Sequence, residues 1–498
     1  MFSDETLASL SIQPSWRTAQ ESSRESKGCQ TQAVHSCQVS VQVRSTSAAF
    51  TQTQQPDPSV ERQDDPPPSP GLSEFLRRVE GLVTLELLKN SRSHAFDDHR
   101  VQWEDGSQPV TCLHRLQPPS EEELEVTCVS WSCTGAVIAC SYGRTSHSDW
   151  NSDKSYVCTW NLDRRNVSLK QADQVIDVPT GVTALCCHPE RPAIIAGGLY
   201  NGEVVVWDTS RAQDLVLAQT GMSTDSHREP VYQVKWVPLQ KKEFGVLSAC
   251  SGGRVLLWTL DSEQNQLVLH AAYALMMQQV PQSSSSSFKA GGSSAVGITS
   301  LALSHWDPDT FLVGSEAGLL LRCSFSSQTL AATPSDGESV TLRAPAVFSF
   351  RPSTGPIHAI HCSPFHRNVF VSAGTDGLAH LHSLLQTDPL LSLRVSDSYV
   401  FEVQWSPTRP LVFAAATGQG DVQIFDLSRR SLKPAATIDH GQTGQAATCL
   451  SFNSQNPRLL AVGKTDGTVG IWQLSSHLTE QIPSEMDQLE HMATQAAE

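Results

Sequence analysis

Val231-Tyr232-Gln233-Val234-Lys235-Trp236 decides the fold. An apolar residue is followed three places on by another, and two places later by a third, usually large. The same spacing returns in Val126/Val129/Trp131, Val182/Leu185/Cys187, Ile298/Leu301/Leu303, Ile357/Ile360/Cys362, Val400/Val403/Trp405 and Ala447/Leu450/Phe452, seven times in all. In five of the seven, a second strand-like run ends 20 positions after the third member, at Trp207, Cys323, His382, Phe425 and Trp472. The third repeat needs 22 positions to reach Trp258, and the first needs 29 to reach Trp160. Between these landmarks lie β-branched runs and tight-turn dipeptides such as Asn201-Gly202, Asp376-Gly377 and Asp466-Gly467, which supply the positive-φ positions of hairpins. A period of this length in β-rich sequence predicts an all-β, seven-bladed WD40-type β-propeller over residues 124–476. A helical solenoid would lack these glycine-punctuated strands.

After Trp472 the chain turns polar, so the last blade has no fourth strand of its own. The apolar stretch 109–116, within a linker over 91–123, is expected to supply it and close the ring. Closure hides the edges that an open sheet exposes. Residues 477–498 read as a polar tail. Two insertions break the period: 143–154, carrying His147 and Trp150, and the serine run 283–287. The first is a candidate contact loop or an exposed decoration, the second a flexible connection.

The segment before the repeats has a different composition. Residues 1–70 are rich in Ser, Gln, Thr and Pro and are expected to be a disordered arm, because they can bury too little apolar surface to offset chain entropy. Residues 71–90 change character. Leu72, Phe75, Leu76, Val79, Leu82 and Val83 recur at helical spacing with charged residues between them, which predicts one amphipathic helix. Polar flanks on both sides favour docking of its apolar face on a partner, with folding back on the propeller as the alternative. Within the arm, Lys27-Gly28-Cys29-Gln30-Thr31 and Thr51-Gln52-Thr53 place small or β-branched residues around Gln. Flexible peptides of this kind can add a strand to a partner's sheet edge, and two on one chain gain through effective concentration. A tract that binds nothing shares the same composition.

Charge and motifs narrow the function. The chain carries 51 Asp+Glu against 35 Lys+Arg, a net charge of −16, which disfavours general binding to nucleic acid or anionic membranes. Its 13 cysteines show no Cys-x-x-Cys spacing and fall mostly in strand runs, as reduced core thiols do in the cytosol. No secretory signal or membrane span is expected. Phosphate-loop, nucleophile-elbow and zincin motifs are missing, and the aspartates near strand ends read as turn caps. No cofactor, metal or catalytic residue is expected.

The stretch Pro192-Ala193-Ile194-Ile195-Ala196-Gly197-Gly198-Leu199-Tyr200-Asn201-Gly202-Glu203-Val204-Val205-Val206-Trp207-Asp208 resembles the second blade of dynein intermediate chains, as His227-Arg228-Glu229-Pro230-Val231-Tyr232 resembles the approach to the third. The long first-blade hairpin ending Val157-Cys158-Thr159-Trp160-Asn161-Leu162 is similar as well. The resemblance implies that Thr51-Gln52-Thr53, and Lys27 with Cys29, Gln30 and Thr31, are sites for a Thr-Gln-Thr-reading dynein light chain, and that the helix takes a roadblock-type light chain. It implies a propeller held on a motor heavy chain and an arm paired with that of a second, different intermediate chain. Dynein-1 members open with a charged helix, whereas Met1-Phe2-Ser3-Asp4-Glu5-Thr6-Leu7 runs into Ser/Gln-rich sequence without heptads. That layout is similar to the dynein-2 branch, which drives retrograde intraflagellar transport in cilia. Cys323, His382 and Phe425 depart from the usual blade Trp. The competing readings are an axonemal dynein intermediate chain, a WD-repeat substrate adaptor of a ubiquitin ligase, and a propeller enzyme with acids in its channel.

Overall fold

The computed structural model describes residues 70–92, 108–117, 124–144, 155–165, 168–239, 243–261, 263–281, 294–331, 341–429, 431–438 and 444–494. The chain divides into two units, Met1–Arg100 and Val101–Glu498. In the first, helix α1 runs Pro70–Arg92. Proline suits its start, since the first helical N–H has no partner to lose.

The second unit is a β-propeller of antiparallel meanders. Five sheets have four strands each, and a sixth has eight. The eight-stranded sheet consists of two four-strand meanders, starting at Val182–Cys187 and Val231–Pro238, joined by one parallel pair, Gln266 with Gln219. The first strands neighbour one another in chain order: Glu125–Trp131, Val182–Cys187, Val231–Pro238, Ile298–Leu303, Ile357–Cys362, Val400–Trp405 and Ala447–Phe452, which returns to Glu125–Trp131. Strand Val110–Leu116 lies outside Val469–Leu474 and completes the sheet that begins at Ala447.

The repeat spacing has a physical cause. Side chains on a strand alternate with period two, so residues three apart belong on opposite faces. Each first strand carries a register shift directly after the first member of its triplet, between Val126 and Cys128, Val182 and Ala184, Val231 and Gln233, Ile298 and Ser300, Ile357 and Ala359, Val400 and Glu402, and Ala447 and Cys449. A bulge adds one unpaired residue and restores the same face three places on. Val126, Val129 and Trp131 are accordingly all buried, as are Val400, Val403 and Trp405.

The bulged residue is itself used. Thr183, Thr299 and Thr448 occupy it, and each hydroxyl donates to the carbonyl of the first triplet member in the following meander: to Val231 at 2.6 Å, Ile357 at 2.5 Å and Val126 at 2.7 Å. Trp131 and Trp236 reach the other way, their indole N–H groups donating at 3.0 Å to the Ser451 and Cys186 carbonyls of the preceding meanders.

The Gly-Gly-x-Tyr-x-Gly stretch is explained by close approach. A Cβ on Gly197 would collide with the Trp207 ring, and one on Gly198 would stand 2.6 Å from Val231 in the next meander. Gly202 turns at φ 91° with the His227 carbonyl where a Cβ would go.

The C-terminal segment corrects the reading of a merely polar tail. Helices α2 (Ser476–Thr479) and α3 (Glu485–Thr494) follow the last strand, and Leu478, Leu489 and Ala493 are buried. Leu489 and Ala493 pack in the cluster of Val403, Trp405 and Phe425. Sparse apolar residues in polar sequence hid this contact.

Candidate interaction surfaces

On α1 the residues singled out from sequence stand together on one face. Leu72, Phe75, Leu76, Leu82 and Val83 are exposed, Leu82 by 70%, and Val79 is half-buried. Arg78 places its guanidinium 5.8 Å from the centre of the Phe75 ring. Leu85, Leu87 and Leu88 of the same helix are exposed as well. Lys27, Cys29, Gln30, Thr31, Thr51, Gln52 and Thr53 lie outside the described residues, as do His147 and Trp150.

The aspartates at strand ends serve the backbone. Asp208, Asp376, Asp426 and Asp466 each accept a hydrogen bond from the main-chain N–H two residues on, at 2.9 to 3.1 Å. That is the turn-capping geometry of aspartate. His227 and Trp258 both bond the Ser248 hydroxyl, at 2.7 and 2.8 Å. His382 stands where Trp258 stands in its repeat and meets Ser372 at 2.9 Å. Its ring stacks on Phe370 at 4.8 Å. An imidazole thereby replaces an indole in both packing and hydrogen bonding. Burial pulls His227 and His382 down to about 3, so both are neutral.

A serine–histidine–aspartate line occurs among the described residues. Ser392 Oγ lies 2.7 Å from His380 Nδ1, and His380 Nε2 lies 2.9 Å from Asp376 Oδ2. Asp376 also takes the Leu378 N–H and the Ser353 hydroxyl. The imidazole offers the hydroxyl Nδ1, and the line clasps a turn to neighbouring strands. Burial alone would raise the Asp376 carboxyl, but its bonds to His380 and Leu378 leave it lowered.

A further site escaped sequence reasoning. The first strands enclose an axial cavity of about 290 Å³ lined by Lys235, His361, Glu402, Gln233, Gln404 and Tyr232, among others. Glu402 keeps some access to the cavity but lies deep in the ring. Burial pushes its carboxyl up to about 7, with Lys235 pulling the other way. Burial likewise takes His361 down to about 3, helped by His305 and Lys235. Lys235 and Glu402 occupy non-triplet positions, which a search for core periodicity passes over. The eleven described cysteines are free. Several are deeply buried, among them Cys362, which burial pushes up to about 12, as expected of an unreactive thiol. Among the described residues no helix is long and apolar enough to cross a membrane.

A propeller of WD-type meanders is the architecture of a WD-repeat scaffold. A family model described as the dynein axonemal intermediate chain 3 WD40 domain matches residues 307–474. The chain is 47% identical to cytoplasmic dynein 2 intermediate chain 2 of Mus musculus over 494 residues, 98% of this chain and 92% of that one. The Homo sapiens protein of the same name is 47% identical over 503 residues, 99% and 92% of the two chains. Cytoplasmic dynein 1 intermediate chain of Drosophila melanogaster is 26% identical over 362 residues, 71% of this chain and 49% of that one. The chain belongs to the cytoplasmic dynein 2 intermediate chain 2 family. These relatives are motor subunits by name, and none of them indicates an enzymatic activity.

Proposed function

We propose that this chain is a non-catalytic intermediate chain of the cytoplasmic dynein-2 motor, acting in retrograde intraflagellar transport and cilium assembly. The observation that carries the reading is identity of 47% over nearly the whole of two dynein-2 relatives. With the eight-stranded sheet counted as two blades, the propeller is a seven-bladed ring over 124–476, closed by the strand within 109–116. That ring holds the heavy chain. The arm, residues 1–70, takes Thr-Gln-Thr-reading light chains at Lys27, Cys29, Gln30 and Thr31 and at Thr51, Gln52 and Thr53. Helix α1 takes a roadblock-type light chain on the face of Leu72, Phe75, Leu76, Val79, Leu82 and Val83. Bivalent light chains then join this arm to that of a second, different intermediate chain. The chain works in the cytoplasm and cytoskeleton, at the axoneme, the ciliary base and the centrosome.

The exposed α1 face supports the docking part of this reading, because leaving it in water forgoes about 25 cal/mol for each Å² that a partner would cover. Affinity purification from ciliated cells tests the whole assignment: recovery of a dynein-2 heavy chain supports it, and recovery of a ubiquitin ligase or an outer-arm axonemal heavy chain rejects it. The arm is tested by Gln30→Ala with Gln52→Ala, which must weaken binding to the Thr-Gln-Thr-reading light chain. Phe75→Asp with Val79→Asp must abolish roadblock-type binding; retained binding rejects the helix as the site.

A further inference from the structure

The axial cavity is lined by a lysine and a glutamate that do not bond each other. Lys235 and Glu402 both line it, and among the described residues neither side chain makes a hydrogen bond or an ion pair within contact distance. Each feels the other electrostatically, and Lys235 also acts on His361, His305 and Cys128. A carboxylate set this far from bulk water is normally paired, because removal from water without a partner is costly.

The remaining donors favour one arrangement. His361 Nδ1 accepts the Trp405 N–H at 3.2 Å, so a neutral His361 carries its proton on Nε2 and is a donor there. Lys235 and His361 thus offer positive and donor groups, and Glu402 offers an acceptor. His358, also on the lining, has an unpartnered buried Nε2. Gln233 and Gln404 are already engaged, with the Thr299 carbonyl and the Phe452 N–H. The volume of about 290 Å³ corresponds to roughly ten waters. It therefore suits a molecule of a few to a dozen heavy atoms.

We propose that the axial cavity binds a small zwitterion of amino-acid size, its carboxylate at Lys235 and His361 and its ammonium at Glu402. A molecule with both charges satisfies both walls at once, whereas an anion or a cation alone leaves one wall unpaired. The inference stands whether or not the propeller grips a motor heavy chain.

The test titrates the full chain by calorimetry with an ω-amino acid series from glycine to 6-aminohexanoate, with acetate and methylammonium as single-charge controls. Saturable binding of one or two lengths, at least about tenfold tighter than either control, is expected. Glu402→Gln and Lys235→Met should each weaken it by about tenfold or more while still melting cooperatively. Binding near neutral pH should also release protons as Glu402 becomes ionised, read from titrations in buffers of different ionisation heat. Absence of binding across the series overturns the proposal, as do controls that bind equally well or variants that bind unchanged. Should a variant fail to melt cooperatively, the wild-type series, its controls and the proton release decide.

Discussion

Thr448 Oγ1 donates a 2.7 Å hydrogen bond to the carbonyl of Val126, 322 residues away in the chain. It joins the last meander to the first, at the bulge where Thr183 and Thr299 make the corresponding contact in their own repeats. Removing the hydroxyl in Thr448→Val keeps the shape and loses the bond. We expect a loss of about 1 kcal/mol, with Thr448→Ser near wild type. Equal melting temperatures for the wild type and the Thr448→Val variant would remove the ring-closing role of the hydroxyl.

Arg409 and Glu485 form a second long-range tie, both buried, with Arg409 Nε 2.8 and 2.9 Å from the two carboxylate oxygens. The same guanidinium reaches Asp426 at 3.3 Å and the His477 carbonyl. Losing one partner strands a buried charge, so Glu485→Gln or Arg409→Met should cost about 3 to 5 kcal/mol in urea unfolding. The double change to Met at both positions should recover part of that loss. A loss in the single variants no larger than a surface substitution gives would show that α3 does not seal the propeller.

Gly202 sits at φ 91°, with the His227 carbonyl where a Cβ would be. Gly202→Ala therefore meets both a strained backbone and a clash. It should lower stability by about 1 to 3 kcal/mol, whereas Gly81→Ala, in open space on α1, should leave the propeller's melting unchanged. Melts of the two variants side by side check the contrast.

Two opposing titrations with overlapping windows shape stability against pH, and the three histidines outweigh the one glutamate where they overlap. Glu402 is raised from 4.5 to about 7, so the folded chain binds more protons than the unfolded chain in that window and loses stability as pH rises through it. Glu402→Gln should then melt higher than wild type at about pH 8, with the gain gone below about pH 4.5. His227, His361 and His382 are lowered from 6.5 to about 3, so their unfolded forms protonate first and stability falls as pH drops through that range. Melting curves across pH test both limbs; a Glu402→Gln gain that persists in acid would contradict the first.

The triplets were readable because burial imposes them on every repeat: Val400, Val403 and Trp405 must face the core whatever else the strand does. The turn glycines were readable for a similar local reason, since Gly202, Gly377 and Gly467 adopt backbone angles that other residues resist. The helical spacing over 71–90 appears as α1, Pro70–Arg92. Why the triplet spacing is three and then two became clear only from pairing, because a bulge is a relation between two strands. Lys235 and Glu402 lie 167 residues apart on different strands, and Arg409 meets Glu485 across 76. No local pattern marks such residues, since each looks like an ordinary surface charge until tertiary packing brings in its neighbours. Sequence by itself determined the repeating strand, its turns and the helix before the ring. Tertiary structure decided which charges are buried together, because desolvation depends on neighbours that the chain brings in from elsewhere.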